Sequence, residues 1–276
     1  MIYVTKFDGR KQLFNKQKIM RTCMRMHATP KVAKAIADKI EAHAYNGIST
    51  KKIMQMIFAY MRKHRPEVKH RIDLRTAISM LRPKPDFELF IAQLLREYGY
   101  KVKSNRMIRG KCIEHEIDAI AEKGKDVFYV EVKHHYKPHT YTGLDVFLEA
   151  RATFEDLLDS KKIGANKIKF NKAMVISNTK LSDHARQYAD CRSIRYIGWK
   201  APLECGLERL IEEKRLHPIT LLRDIDPANE IKLGDAGIVM LKQLIELSLD
   251  KLWKKTKISK KTLKEFKFKA QNILST

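Results

Sequence analysis

The 276-residue chain has no paired cysteines: Cys23, Cys112, Cys191 and Cys205 lie far apart, none stands in a CxxC spacing, and the single C-x-x-H, Cys112 to His115, has no second pair to complete it. That spacing excludes a zinc ribbon and argues against a disulfide framework, leaving reduced thiols. No segment approaches the apolar length of a membrane span, and the opening MIYVTKFDGRK lacks the apolar core of a leader. The expectation is a soluble, cytoplasmic protein. No G-x-x-x-x-G-K string followed by Ser or Thr occurs, so a translocating ATPase built on that loop is excluded. Any bound nucleotide would then act as an effector rather than a fuel. Acids are scarce as well: 32 Asp plus Glu face 56 Lys plus Arg, for a net charge of +24. Such an excess favours a polyanionic partner, with nucleic acid ahead of a membrane surface or an acidic protein.

What is present suffices for packed cores, with 11 Phe, 10 Tyr and 2 Trp in a chain long enough for two domains or three small ones. Residues 1–82 carry +14 of the net charge. Short strands over 2–6 and 12–14 flank an Asp8-Gly9 turn, the common hairpin signal. Helices are expected after Asn15, after Thr29-Pro30 and after Ser49-Thr50, with a fourth over about 66–81. The run Arg82-Pro83-Lys84-Pro85 is the clearest boundary, since both prolines bias the preceding residue away from helix. Asp86 is then expected to cap an amphipathic helix ending at Gly99. The order over 83–202 is α-β-β-β-α-β-α-β, a mixed sheet flanked by helices. From 203 to 276 the pattern is helical with breaks, at 207–216, 234–249 and 260–274. The expected fold class is therefore multi-domain α/β.

The chemistry concentrates in Cys112 to His135. Both arms of this stretch alternate with period two, which predicts a hairpin turning at Lys123-Gly124. Glu114, Glu116, Asp118 and Ile120 share one face, and Glu131 and Lys133 share a face of the second arm. With that turn, Asp118 lies opposite Tyr129 and Glu131 is its diagonal neighbour, roughly 7–8 Å away at the backbone. Two converging carboxylates repel unless a divalent cation lies between them, and Lys133 brings a cation or general base to the same place. Spacing alone also fits a hairpin with a solvated acidic face. His134, His135 and His139 follow closely, but without cysteine partners they suit a solvated or phosphate-contacting loop better than a zinc site. His115 alternates onto the apolar face, where a hydrogen-bonded core histidine is expected.

The helix FELFIAQLLREYGYKV, the strands HEIDAI and YVEVKHH, and the segment MVISNTKLSDHARQYA together resemble the Mrr-like restriction endonuclease domain of the PD-(D/E)XK nuclease superfamily, over roughly 85–200. The resemblance implies that Asp118 and Glu131 hold Mg2+ or Mn2+, with Glu88 as a further ligand, and that Lys133 positions or deprotonates the attacking water. Many Mrr-like domains carry Gln where this chain has Glu131; the glutamate is the wider superfamily's form.

The string VTKFDGRKQLFNKQKI and the later ISTKKI resemble the ATP-cone, a nucleotide-sensing module, over almost all of 1–82. The resemblance implies that Val4, Lys6, Lys18, Ile19 and Thr50 contact ATP or dATP. By residue chemistry alone, Lys6, Arg10, Lys11, Lys16 and Lys18 would suit any phosphate. The stretch from Leu233 to Phe266 resembles helix-hairpin-helix modules, with Gly237-Ile238 in the first hairpin and Lys257-Ile258-Ser259 in the second. Phosphate-backbone binding and a packing bundle with a solvated lysine face both fit these helices.

Together these features predict a Mg-dependent endodeoxyribonuclease regulated by ATP or dATP, with DNA as partner and an oligomeric state that responds to nucleotide. The alternatives are a non-catalytic, nucleotide-responsive DNA-binding regulator, or a nuclease acting on RNA or branched DNA.

Overall fold

In the computed structural model, residues 1–6, 9–26, 28–64, 73–222 and 225–275 are described. The chain forms two compact units, one made mainly of residues 1–72 and the other mainly of 73–221 and 225–267.

In the first unit, strands β1 (Tyr3–Thr5) and β2 (Lys11–Leu13) pair antiparallel, and β3 (Ile48–Ser49) adds to β1 in parallel. Asp8 of the expected turn lies outside the described residues; Gly9 has φ +80, the left-handed conformation glycine adopts at least cost. Helix α1 (Lys16–Arg25) is capped by Asn15, whose Oδ1 accepts the Lys18 N–H (3.1 Å). Helix α2 (Pro30–Ala42) is capped by Thr29 and has proline in its first turn. Helix α3 (Thr50–His64) starts directly after β3. Ile19, Cys23, Ala33, Ile36, Ile40, Ile57 and Met61 form the buried core between the helices. Of the fourth expected helix, α4 (Leu74–Met80) is described, in the second unit, and 66–72 lie outside the described residues.

The second unit is built on a five-stranded sheet. After a kinked turn over Pro83–Phe87, α5 (Glu88–Glu97) leads into β4 (Lys101–Arg109), β5 (Glu114–Lys123) and β6 (Asp126–Lys133). A short β7 (Tyr141–Thr142) and α6 (Leu144–Lys162) follow. Then come β8 (Lys172–Ser177), a short β9 (Lys180–Leu181), α7 (Asp183–Cys191) and β10 (Arg195–Ile197). The strand order is β10-β8-β6-β5-β4, with the β4–β5 and β5–β6 pairs antiparallel and the β6–β8 and β8–β10 pairs parallel. Residues 173–177 are buried throughout, as a strand with parallel neighbours and both faces covered requires. Ile120, Tyr129, Phe147, Phe154, Leu157 and Val175 centre the core between the sheet and its helices.

Asp86 does not cap the helix after it. Its carboxylate is buried and takes two bonds from Arg82, Nε to Oδ2 (2.7 Å) and Nη2 to Oδ1 (2.8 Å). The tight 82–87 turn brings the two side chains together, closed by the Phe87 N–H on the Arg82 carbonyl (2.9 Å).

The single helix expected over 234–249 is broken. After α8 (Leu207–Lys214), α9 (Pro227–Asp235) ends before Gly237, whose φ is +74, and α10 (Leu241–Glu246) starts afresh. The pair α11 (Leu249–Thr256) and α12 (Lys260–Leu274) turns the same way through Lys257, at φ +57. A buried isoleucine follows each turn, Ile238 and Ile258. Lysine at Lys257 meets a cost glycine would avoid, yet the two hairpins share one design. Several of these helices are tied to the sheet's own helix: the Tyr98 hydroxyl donates to the Leu210 carbonyl (2.9 Å), and Lys242 pairs with Glu97 (2.9 Å). Among the described residues, no helix is long and apolar enough to cross a membrane.

The β4–β5 connection hangs on Asp156 of α6. Its carboxylate accepts the Cys112 N–H (2.8 Å) and faces His115 Nε2 (2.8 Å), so His115 is partnered as expected of a core histidine. Burial alone would raise the Asp156 pKa, but the Cys112 N–H, the His115 ring, the Cys112 thiol and the Ile113 N–H hold it well below the usual carboxylate range. Gly110 is what lets the loop close over it: a Cβ there would stand 1.9 Å from Asp156 Oδ2 and 2.6 Å from the Ile113 carbonyl oxygen. Gly110→Ala is therefore expected to cost about 1–3 kcal/mol, read as a lowered midpoint in thermal unfolding. An unchanged midpoint would show that the carboxylate is not the anchor.

Candidate active site

The β5–β6 hairpin pairs Lys123 with Asp126 and Ala119 with Val130, so its loop is Gly124-Lys125. The positive φ, +61, falls on Gly124 at the first loop position. The expected register is thus off by two residues, which preserves the faces. Extended one step beyond its last pair, Ala119–Val130, this register sets Asp118 opposite Glu131 instead of diagonal to it. Asp118 Oδ2 accepts the Val132 N–H (2.8 Å), which fixes its carboxylate at the strand junction. Glu131 Oε2 accepts the Tyr129 hydroxyl (2.7 Å), an orienting contact that periodicity did not disclose. Lys133 ends β6, in register with Ser177 of β8.

Glu88 opens α5 and is 4 % exposed; Asp118 is 7 % exposed. These two acids share a cation from the same chain. Lys84 Nζ lies 3.0 Å from Glu116 Oε1, 3.3 Å from Glu88 Oε1 and 3.7 Å from Asp118 Oδ1. Neither Lys84 nor Glu116 was among the expected site residues. The signal for Lys84 was its place four residues before Glu88, on a proline-flanked turn. Among the described residues, no three His, Cys, Asp or Glu side chains are grouped so as to hold a metal; Glu88, Glu116 and Asp118 surround an ammonium instead.

Burial and the charge of Asp118 push the Glu88 carboxyl up to about 7, against the opposing pull of Lys84. Asp118 is also raised, by burial, although the Val132 N–H, the Lys84 charge and the neighbouring Glu88 side chain oppose the rise. Glu131 is raised by burial and by Asp118, with the Tyr129 hydroxyl and Lys133 pulling the other way. The buried Oε2 of Glu88 has no hydrogen-bond partner. An uncompensated oxygen, an all-oxygen donor set and a cation already seated among the acids fit a hard divalent ion.

Beyond Lys133 the backbone is fixed by side chains. Asn178 holds His135 on both sides, accepting its N–H and donating to its carbonyl (2.8 Å each). Thr142 Oγ1 joins Ser177 (2.6 Å), Thr179 (2.8 Å) and His135 Nε2 (3.2 Å) in a buried network. His134 faces the Ile78 carbonyl (3.2 Å) and His139 faces Arg75 Nη1 (3.0 Å), so the three histidines do not converge.

In the first unit, Val4, Lys6, Lys18, Ile19 and Thr50 all line one cleft, together with Gln12 and Asn15 among others. Parallel pairing of Val4 with Ile48 brings the start of α3, and with it Thr50, beside β1. Lys16 is committed elsewhere, to Asp38 and to Glu41 (2.7 Å).

Known proteins give three family matches: an ATP cone domain over residues 2–77, an Mrr-type catalytic domain described as a restriction endonuclease over 82–198, and an AF1548-like C-terminal domain over 217–274. An uncharacterized protein of Archaeoglobus fulgidus is 36 % identical over 184 residues, covering 67 % of this chain and 99 % of its own length. The crystal structure of AF1548, a protein of unknown function, superposes with a TM-score of 0.60 at 33 % identity, over 68 % of this chain and 97 % of that one.

The raised carboxyl groups make a stability prediction. A Glu88 whose pKa rises from 4.5 unfolded to about 7 folded favours the fold fully at low pH and loses that contribution as pH climbs through 7. Asp118 and Glu131 shift in the same direction. In EDTA, the midpoint of Glu88→Gln relative to the unmodified protein is expected to improve between pH 5.5 and 8; a constant difference would refute the assignment.

Proposed function

We propose that this chain, which belongs with the AF1548-like proteins and carries an ATP cone ahead of an Mrr-type restriction endonuclease domain, is a divalent-metal-dependent endodeoxyribonuclease regulated by adenine nucleotide. The organisation proposed is threefold: a cone over 1–82, a nuclease domain over 83–202 and a helical module over 203–276. The observation that carries the reading is the Asp118 carboxylate bonded to the Val132 N–H (2.8 Å), which sets it at the stretch of β6 that bears Glu131 and Lys133.

Asp118 and Glu131 are the metal ligands in this reading, and Glu88 joins them through its buried carboxylate. A bound Mg2+ or Mn2+ supplies charge neutralisation and Lewis acidity to a phosphodiester that otherwise repels nucleophiles. Lys133 holds the attacking water or takes its proton. Tyr129 keeps one oxygen of Glu131 engaged and so fixes which oxygen is offered. The net charge of +24 supports a nucleic-acid substrate, and the lysines bunched between Lys251 and Lys269 suit contacts to phosphates rather than bases. Val4, Lys6, Lys18, Ile19 and Thr50 are the nucleotide contacts, with Lys6 and Lys18 neutralising phosphates. Without a nucleotide-hydrolysing loop, ATP or dATP acts by shifting the oligomeric state.

Plasmid, single-stranded DNA and RNA incubated with Mg2+ and then with EDTA are expected to show metal-dependent cutting of DNA. Asp118→Ala and Lys133→Ala should each lower the rate about 10²–10⁴-fold with the circular dichroism spectrum unchanged. Undiminished cutting by both variants would reject the site.

Calorimetry on the full chain is expected to show ATP or dATP binding that Lys18→Ala weakens about tenfold or more. Light scattering should record a change of assembly with nucleotide. No heat with either nucleotide would reduce this unit to a basic docking domain.

A further inference from the structure

The Lys84 ammonium stands where the acids of the site face one another, 3.0–3.7 Å from Glu116, Glu88 and Asp118. Its backbone belongs to a turn that is firmly held. Arg82 binds Asp86 twice and Asp235 once (2.8 Å), and Asp86 is buried. Gly234 shows how tightly this anchor is packed, because a Cβ there would stand 2.3 Å from Asp86 Oδ1 and 2.7 Å from Arg82 Nη2. Lys84 itself is extended within the turn (φ −123, ψ 134), which directs its side chain away from the helical course of α5. That side chain is 55 % exposed, whereas Glu88 is 4 % exposed. The cation therefore has a route to water that the carboxylates lack.

A lysine offers one charge and three donors on a flexible stem, so it can neutralise these acids without gathering them. A divalent ion needs the same oxygens at shorter distances and cannot share them with an ammonium. Resting on the metal-site reading above, we propose that Lys84 is a built-in competitor of the metal: it occupies the Glu88–Asp118 pair in the metal-free protein and must swing out before an ion can load. Only the fraction of molecules with Lys84 displaced is competent for metal, and the observed dissociation constant is raised by the inverse of that fraction. The tether fixes where the displaced ammonium goes. It moves to the solvent side of the same acids, beside any anion that approaches the site.

The test is calorimetric titration of Mn2+ into the full chain without DNA. Lys84→Met is expected to bind Mn2+ about tenfold tighter than the unmodified protein, as removal of a partly exposed ion-pair competitor allows. Lys84→Gln, which keeps length and polarity without charge, should do likewise and stands in if the methionine variant does not fold. Lys84→Arg should bind as the unmodified protein does. A merely structural lysine would leave affinity unchanged or weaken it, so equal or weaker binding by the neutral variants overturns the proposal. Asp118→Asn separates the two failures. If it abolishes Mn2+ binding while the neutral Lys84 variants gain nothing, the metal site stands and the competition is rejected. If no protein binds Mn2+, or Asp118→Asn binds it normally, both fall.

Discussion

The constraint on which the nuclease-type unit turns is electrostatic. Glu88, Asp118 and Glu131 are carboxylates in or near the core, and each is held above its usual pKa by burial. Charged carboxylates in a low-dielectric setting repel one another strongly, and each has lost water that would have stabilised it. The fold meets this in three ways. A backbone N–H from Val132 engages Asp118, the Tyr129 hydroxyl engages Glu131, and Lys84 places a positive charge among Glu88, Glu116 and Asp118. One buried oxygen, Glu88 Oε2, is left without a partner. Keeping such groups serves no purpose in packing; it is the kind of local conflict that proteins retain where chemistry is done.

The scaffold that sustains this conflict is stiff. The parallel pairing of β6 and β8 runs from Phe128–Lys172 to Lys133–Ser177, so the part of β6 that carries Glu131 and Lys133 is braced by a neighbouring strand. Past Lys133, Asn178 substitutes for a strand partner by bonding both backbone groups of His135. The Thr142–Ser177–Thr179 hydroxyls fill the space below without leaving a polar group unpaired. Asp156, with Gly110 over it, closes the far end of β5. The functional strand pair is therefore clamped at both ends.

Period-two alternation over 114–133 was enough to put Asp118, Glu131 and Lys133 on one face, and Asn15 and Thr29 marked where α1 and α2 start. Register was beyond that signal. A loop at 123–124 or at 124–125 preserves the faces, and only the backbone geometry of Gly124 decides between them. Asp86 misled because an acid before a helix is usually a cap, whereas here a proline-kinked turn brought Arg82 within reach. Lys84 and Glu116 were missed because their role depends on a tertiary meeting of α5 with β5, 32 residues apart for the bonded pair. In the cone, the five expected residues line one cleft because the parallel β1–β3 pairing joins positions 4 and 48, a contact that no local pattern contains.

The distribution of positive charge separates two kinds of lysine. Lys16, Lys84 and Lys267 are engaged within the fold: Lys16 with acids of α2, Lys84 with the site acids, and Lys267 with the carbonyls of Leu244, Ile245 and Leu247 at 2.6–2.8 Å. Lys267 thereby supplies donors to the last turn of α10, where a cation also suits the helix dipole. Lys254, Lys255, Lys257 and Lys261, by contrast, are exposed around the α11–α12 hairpin, with Lys257 5.1 Å from the centre of the half-exposed Trp253 ring. A flexible, hydrated ammonium gains little from exposed intramolecular pairs but much from releasing the counterions of a phosphate backbone. The same residue type thus serves two purposes. Engaged with acids or with helix-end carbonyls it compensates charge inside the fold, and where it projects from the α11–α12 hairpin its charge is exposed to a polyanion.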